Sequence, residues 1–139
     1  MCGEPEKGAE PPRLSRKALG DSGERIVAAH LARLGWRVLA TRFRCAFGEI
    51  DVIAEEPAPE GRVLVFVEVK TRRGTAHGAP AEAVNARKQA RIVAVAETYL
   101  ARHRDEESDP ACRFDVAEVF VGPDGLAQVR LLRAAFGAL

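Results

Sequence analysis

The hydrophobic positions of this chain change their period along its length, and each change marks an element. From about Ser15 or Ser22 to Leu34 the residues Ile26, Val27, Leu31 and Leu34 recur at helical spacing, and Gly35 follows where a helix would stop. From Trp36 to Phe43, and with stronger alternation from Glu49 to Ala54, the period shortens to that of a strand. Arg62 to Lys70 reads Arg-Val-Leu-Val-Phe-Val-Glu-Val-Lys, with Val63, Val65, Val67 and Val69 on one face and Leu64 and Phe66 on the other. A strand apolar on both faces belongs in the middle of a sheet, covered on each side. The helical period returns from about Ala81 to Arg102, through Val84, Ile92, Val95, Ala96 and Tyr99. Two more strands, Phe114 to Val121 and about Leu126 to Leu132, flank the turn Gly122-Pro123-Asp124-Gly125.

The order α-β-β-β-α-β-β predicts an α/β fold with a mixed central sheet flanked by helices. Residues 1–14 are rich in Pro, Gly and charge and bury too little apolar area to offset the entropy of ordering, so they read as a disordered tail. Residues 15–139 suffice for a single domain with a core of ordinary size.

Against this pattern, Glu68 and Lys70 are out of place. They end the most apolar strand, on the face of Leu64 and Phe66, where charges rarely sit without a partner. The short turn around Pro59 joins two strands that should pair antiparallel, which sets Asp51 opposite Glu68 and Glu49 opposite Lys70. Alternation puts Glu49 and Asp51 on one face of their strand. Two opposed carboxylates repel each other, and a hard cation such as Mg²⁺ or Mn²⁺, held by oxygen ligands, would relieve the repulsion. Beside such a cation Lys70 can position the attacking water and steady charge on a phosphate, with Glu49 as its partner. The competing reading of Asp51, Glu68 and Lys70 is an ordinary ion-pair cluster on a solvated strand end.

The overall charge sharpens this picture. Lys and Arg number 21 against 20 Asp and Glu, a formal net charge of +1, so a polyanion must be met by a local patch. The second helix places Lys88 and Gln89 on the side of Ile92 and Val95, one turn nearer its amino end, which should overhang the site. With Arg72, Arg73, Arg87 and Arg91 they form a candidate phosphate-gripping patch, weighed against a merely solvated helix face. Cys2, Cys45 and Cys112 have neither zinc-site nor disulfide-framework spacing, which points to a reducing, cytoplasmic setting. His30, His77 and His103 show no ligand spacing either. The amino terminus lacks the pattern of a secretory signal, and no apolar run is long enough for a bilayer.

The stretch Gly48-Glu49-Ile50-Asp51-Val52-Ile53-Ala54, followed by Val65-Phe66-Val67-Glu68-Val69-Lys70-Thr71-Arg72, resembles the YraN-like family of small bacterial proteins. So do Gly20-Asp21-Ser22-Gly23-Glu24, Gly78-Ala79-Pro80, Phe114-Asp115-Val116 and Ala135-Phe136, so that the likeness covers about residues 15 to 136. The tail before Arg13 and the acidic loop at residues 105–109 depart from the family's pattern. That family is assigned to the PD-(D/E)xK nuclease superfamily and is similar to archaeal Holliday-junction resolvases. The resemblance implies a restriction-endonuclease-like αβββαβ core, with Asp51 and Glu68 as metal ligands, a further ligand from the Val69 carbonyl and Lys70 as the catalytic lysine. It also suggests Glu24 as a ligand, direct or through water. The local alternative for Glu24 is a capping box with Asp21.

These readings lead to a metal-dependent, endonuclease-like phosphodiesterase acting on DNA, with branched DNA such as Holliday junctions as the favoured substrate. The alternative is a non-catalytic nucleic-acid-binding or adaptor protein that keeps the nuclease fold. No membrane partner is expected, and the oligomeric state is left open, a homodimer included.

Overall fold

The structure, a computed structural model, describes the backbone of residues 16–73, 85–103 and 110–137, and within these the side chains from residue 23 onward except that of Arg73. The elements are α1 (Arg16–Arg33), β1 (Arg37–Cys45), β2 (Gly48–Ala58), β3 (Gly61–Arg73), α2 (Ala86–His103), β4 (Ala111–Val121) and β5 (Ala127–Phe136). The tail foreseen for residues 1–14 lies outside the described residues, as do His77, residues 81–84 and the loop at 104–109.

The first helix ends where glycine permits it. Gly35 takes φ 90°, the Trp36 amide donates to the Leu31 carbonyl at 3.0 Å and the Gly35 amide to that of Ala32 at 3.0 Å. Both bonds satisfy carbonyls that the helix end leaves open, and Leu31 and Trp36 pack in the same buried cluster beside them. Leu34, expected on the apolar stripe, falls past the last helical residue and is 53% exposed. At the other helix, Asn85 is the cap rather than part of the helix. Its side-chain oxygen accepts the Lys88 amide at 2.8 Å, so α2 starts at Ala86.

The five strands lie in chain order, β1-β2-β3-β4-β5, with every neighbouring pair antiparallel except β3 and β4. The parallel pair requires a crossover, and α2 lies between the two strands in the chain. The central strand is sandwiched as its two apolar faces demand. Leu64 and Phe66 join Ile92, Val95, Ala96 and Tyr99 of α2, while Val65 and Val67 join Val27 and Leu31 of α1. The fold is thus the αβββαβ core with a mixed sheet and a helix on each face, extended by β5.

Buried charges brace the β4–β5 side. Glu118, 1% exposed, accepts from Arg130 at 2.7 and 2.9 Å. Arg72 Nε stands 2.9 Å from its second oxygen, at ion-pair distance but without hydrogen-bond alignment. On the other face Arg113 and Arg133 both lie over the Trp36 ring, 5.5 and 5.8 Å from its centroid, and both bind Glu56.

Candidate functional site

The site is a fork in the sheet. The β2–β3 ladder runs from Ala58↔Gly61 to Val52↔Val67 and stops, although β3 stays paired with β4 as far as Arg73 and β2 with β1 as far as Gly48. The register anticipated from the sequence is the observed one up to Val52. One step further, where Asp51 would face Glu68 as a ladder pair, the strands part. Into the gap turns the Asp51 carboxylate, which accepts the Val69 amide at 2.8 Å. In an extended strand the N–H and C=O of one residue face the same edge. The Val69 carbonyl therefore looks into the fork as well.

The simple alternation expected for β2 fails at the same point. Ile50 and Ile53, three residues apart, both pack on the α2 face, while Val52 and Ala54 pack on the α1 face. In the neighbouring strand Arg42 takes φ 53°, the left-handed region, which interrupts the alternation of β1 opposite this bend. The Asp51 carboxylate reaches the β3 edge, where the Val69 amide donates to it.

Three more carboxylates surround Asp51, each neutralised by its own cation. Glu68 is bound by Lys88 Nζ at 2.6 Å, Glu49 by Arg44 Nε at 2.7 Å and Glu24 by Arg42 Nε at 2.5 Å. Asp51 forms no ion pair with a described residue. Burial first, then Glu68, Glu49 and Glu24, push its pKa up from 3.8 to about 7, against the lowering pull of the Val69 amide.

Glu24 reaches this place because α1 approaches β3 at Gly23, where a Cβ would meet Thr71 Oγ1 at 2.8 Å and Val69 Cγ1 at 3.2 Å. The helix starts at Arg16, so Asp21 and Glu24 lie inside it and the capping-box alternative is excluded. Glu49 is held across the β1–β2 ladder by Arg44, and the β2–β3 ladder stops before Glu49 could face Lys70, as the sequence register had it. Lys70 follows Glu68 by two residues on the α2 side of β3, in register with Glu118.

The basic patch divides. Lys88 points into the fork, as its spacing with Ile92 foretold, and Gln89 is half-buried on the same turn. Arg87 and Arg91 are exposed. Arg72 stands at ion-pair distance from Glu118 with its side chain 39% exposed, and the Arg73 side chain lies outside the described residues. The buried carboxylates Asp115 and Glu118 were not singled out as charges, since an acid inside an apolar strand gives no local sign of the arginine that meets it.

Among the described residues no three His, Cys, Asp or Glu side chains form a ready metal cluster. The donors that do converge are oxygens: Asp51, Glu68 and the main chain at Val69. Such a set fits Mg²⁺, which commonly takes one or two carboxylates and fills its remaining positions with water and substrate phosphate. An open depression lined by Glu55, Glu60, Arg62 and Pro110 lies at the β2–β3 turn, the opposite end of the sheet, and shares no residue with the fork.

The raised pKa of Asp51 sets an expected pH dependence. Its folded value of about 7 exceeds the ordinary 3.8, so between these pH values the folded protein holds a proton that the unfolded chain releases. Stability of the metal-free protein should therefore fall as pH rises from about 4 to 7, by a few kcal/mol at most, and then level off. Asp51→Asn, which can still accept the Val69 amide, should flatten that slope. Urea unfolding across this range checks it, and an unchanged slope in the variant would refute the assignment.

Comparison with known proteins places the chain among close relatives. The model of the family described as "Uncharacterised protein family UPF0102" matches residues 23–119. A UPF0102 protein of Symbiobacterium thermophilum is 50% identical over 125 residues, covering 90% of this chain and 100% of that one. Another, from Alkaliphilus metalliredigens, is 46% identical over 108 residues, covering 78% and 90%. Among solved structures, Pyrococcus furiosus SfsA in complex with Ca²⁺ aligns with 86% of this chain and 64% of its own at 11% identity and a TM-score of 0.34, too low to carry an argument. Among the described residues no helix is long and apolar enough to cross a membrane.

Proposed function

This chain belongs to the UPF0102 family, and from that footing we propose that the fork is the centre of a metal-dependent phosphodiesterase that cleaves DNA, branched or otherwise structured DNA in particular. One observation carries the reading. Asp51 is a half-buried carboxylate that no described residue neutralises by an ion pair, set among three others and beside an inward-facing main-chain carbonyl, a cost that a purely structural cluster has no reason to bear.

In this reading Asp51, Glu68 and the Val69 carbonyl hold Mg²⁺ or Mn²⁺, with Glu24 acting through water or directly. The bound cation supplies Lewis-acid stabilisation of charge on the phosphate and eases deprotonation of water. Lys70 orients the attacking water and steadies the phosphate oxygens, and Glu49 keeps Arg44 in place at the rim. Lys88, Arg87, Arg91 and Gln89 on the first turns of α2 grip the backbone of the DNA, because guanidinium and ammonium groups suit phosphate.

The test is direct. Purified protein with Mg²⁺ or Mn²⁺ is offered linear duplex, flapped, four-way-junction and RNA substrates, and thermal unfolding is followed with and without the cation. Cleavage of a structured DNA that stops in EDTA, together with a Mg²⁺-dependent rise in Tm, is expected. Binding without cleavage would favour an adaptor that keeps the fold. Neither cleavage nor stabilisation by a cation would defeat the reading.

A further inference from the structure

Phe47 occupies the two-residue turn between β1 and β2 and is 58% exposed. Among the described residues its one counterpart as a large exposed hydrophobic is Leu34, at the end of α1. The turn is fixed in place. Gly48 takes φ 141°, and a Cβ there would meet Arg91 Cδ at 3.1 Å and Cγ at 3.3 Å, so the hairpin backbone lies directly on the stem of an α2 side chain. Cys45 and Gly48 form the last pair of the ladder, on either side of the turn.

The turn belongs to the same end of the sheet as the fork. Phe47 precedes Asp51 by four residues, roughly 13 Å of extended chain, and the α2 segment beneath it is the one whose Lys88 enters the fork. Two cations lie close to the turn: Arg91 packs its stem on Gly48, and Arg44, ion-paired with Glu49, precedes Phe47 by three residues. Arg91 is exposed, and Arg44, whose side chain is 70% exposed, stands at the foot of the turn.

A lone aromatic among cations is a poor core for a protein interface, which needs a wider apolar patch around its anchors. It is the composition of a stacking platform for nucleic acid, where a ring takes the face of a base and neighbouring cations take the backbone. In an intact duplex the bases are already stacked, and the ring would first have to open a step. At a branch point or single-strand junction a base face is open.

We propose that Phe47 stacks on a nucleobase left unpaired or unstacked at a branch point of DNA seated in the fork, and so selects branched over plain duplex substrate. The proposal rests on the phosphodiesterase reading of the fork and adds the feature of the substrate that it recognises.

The experiment uses the full chain carrying Lys70→Ala, with Mg²⁺, so that binding is read without turnover. Affinities for a blunt duplex and for a four-way junction carrying 2-aminopurine at the branch are measured by anisotropy. Adding Phe47→Ala should weaken junction binding about tenfold or more and abolish the 2-aminopurine response while leaving duplex affinity unchanged. Phe47→Trp should retain both. Equal losses on the two DNAs, no loss on either, or a Phe47-dependent dimer by sedimentation would each overturn the role of Phe47. A combined Arg87→Ala, Lys88→Ala, Arg91→Ala variant separates the layers, because it should weaken both DNAs. If the Lys70→Ala protein binds neither DNA, the reading of the fork itself fails.

Discussion

If the fork cleaves DNA as proposed, Lys70→Ala is expected to lower cleavage by about 10²- to 10⁴-fold while leaving divalent-cation binding and DNA affinity close to those of the parent. Its ammonium follows Glu68 on the α2 side of β3 but is not among the oxygen donors of the fork. On the proposed mechanism, removing it takes away the partner of the attacking water and none of the cation's ligands. Asp51→Asn should behave differently, losing both the cation-dependent rise in Tm and cleavage, because it neutralises the fork carboxylate that, among the described residues, has no ion-pair partner. Single-turnover cleavage and thermal unfolding with Mg²⁺ distinguish the two variants. Equal loss of metal stabilisation in both would show that Lys70 supports the fold of the site and not its chemistry.

Much of this was legible in the sequence, for identifiable reasons. A strand apolar on both faces has one place in a sheet, and a short turn leaves little freedom of register, so the pairing of β2 with β3 follows from residues 49–70 alone. What could not be read is where the ladder stops. The fork depends on the left-handed Arg42 in the neighbouring strand and on Gly23 in a distant helix, and neither announces itself locally. The pairing of Arg72 was illegible for a similar reason. Its acidic partner lies 46 residues further on, in a strand that reads as apolar, and only the parallel β3–β4 pairing brings the two together. Phe47 passed unnoticed because a single aromatic in a turn has no periodicity.

The largest expected effect on stability lies away from the fork. Asp115 is fully buried and accepts three hydrogen bonds, from Arg113 Nε at 2.8 Å, Arg113 Nη2 at 2.9 Å and the Ala134 amide at 2.9 Å. Ala134 takes φ 50°, a strained value for a residue with a Cβ, beside the register shift between β4 and β5. Asp115→Ala strips a mostly buried guanidinium of its main acceptor and leaves the Ala134 amide without this one. Loss of one partner from a buried pair costs about 3–5 kcal/mol, which corresponds to a Tm lower by roughly 10–20 °C. Arg113 keeps Glu56, whose carboxyl is raised by burial but held below its usual range overall by hydrogen bonds from Arg133 and Arg113. Asp115→Asn, which retains the size and one acceptor, should lose less. Urea unfolding of both variants tests this, and a loss under about 1 kcal/mol for the alanine variant would mean that the bulge relaxes around the gap.

The ion pair between Lys88 and Glu68 has a thermodynamic consequence for how the fork fills. The ammonium of α2 holds, at 2.6 Å, a carboxylate oxygen that the proposed divalent cation would need. An entering cation must compete with it, and a phosphate that draws Lys88 outward vacates the oxygen in advance. On the proposed function, binding of cation and of nucleic acid would be linked through a single side chain, and linkage is reciprocal: by whatever factor DNA tightens Mg²⁺, Mg²⁺ tightens DNA. Lys88→Met would uncouple them, raising cation affinity in the absence of DNA and erasing the mutual enhancement in its presence.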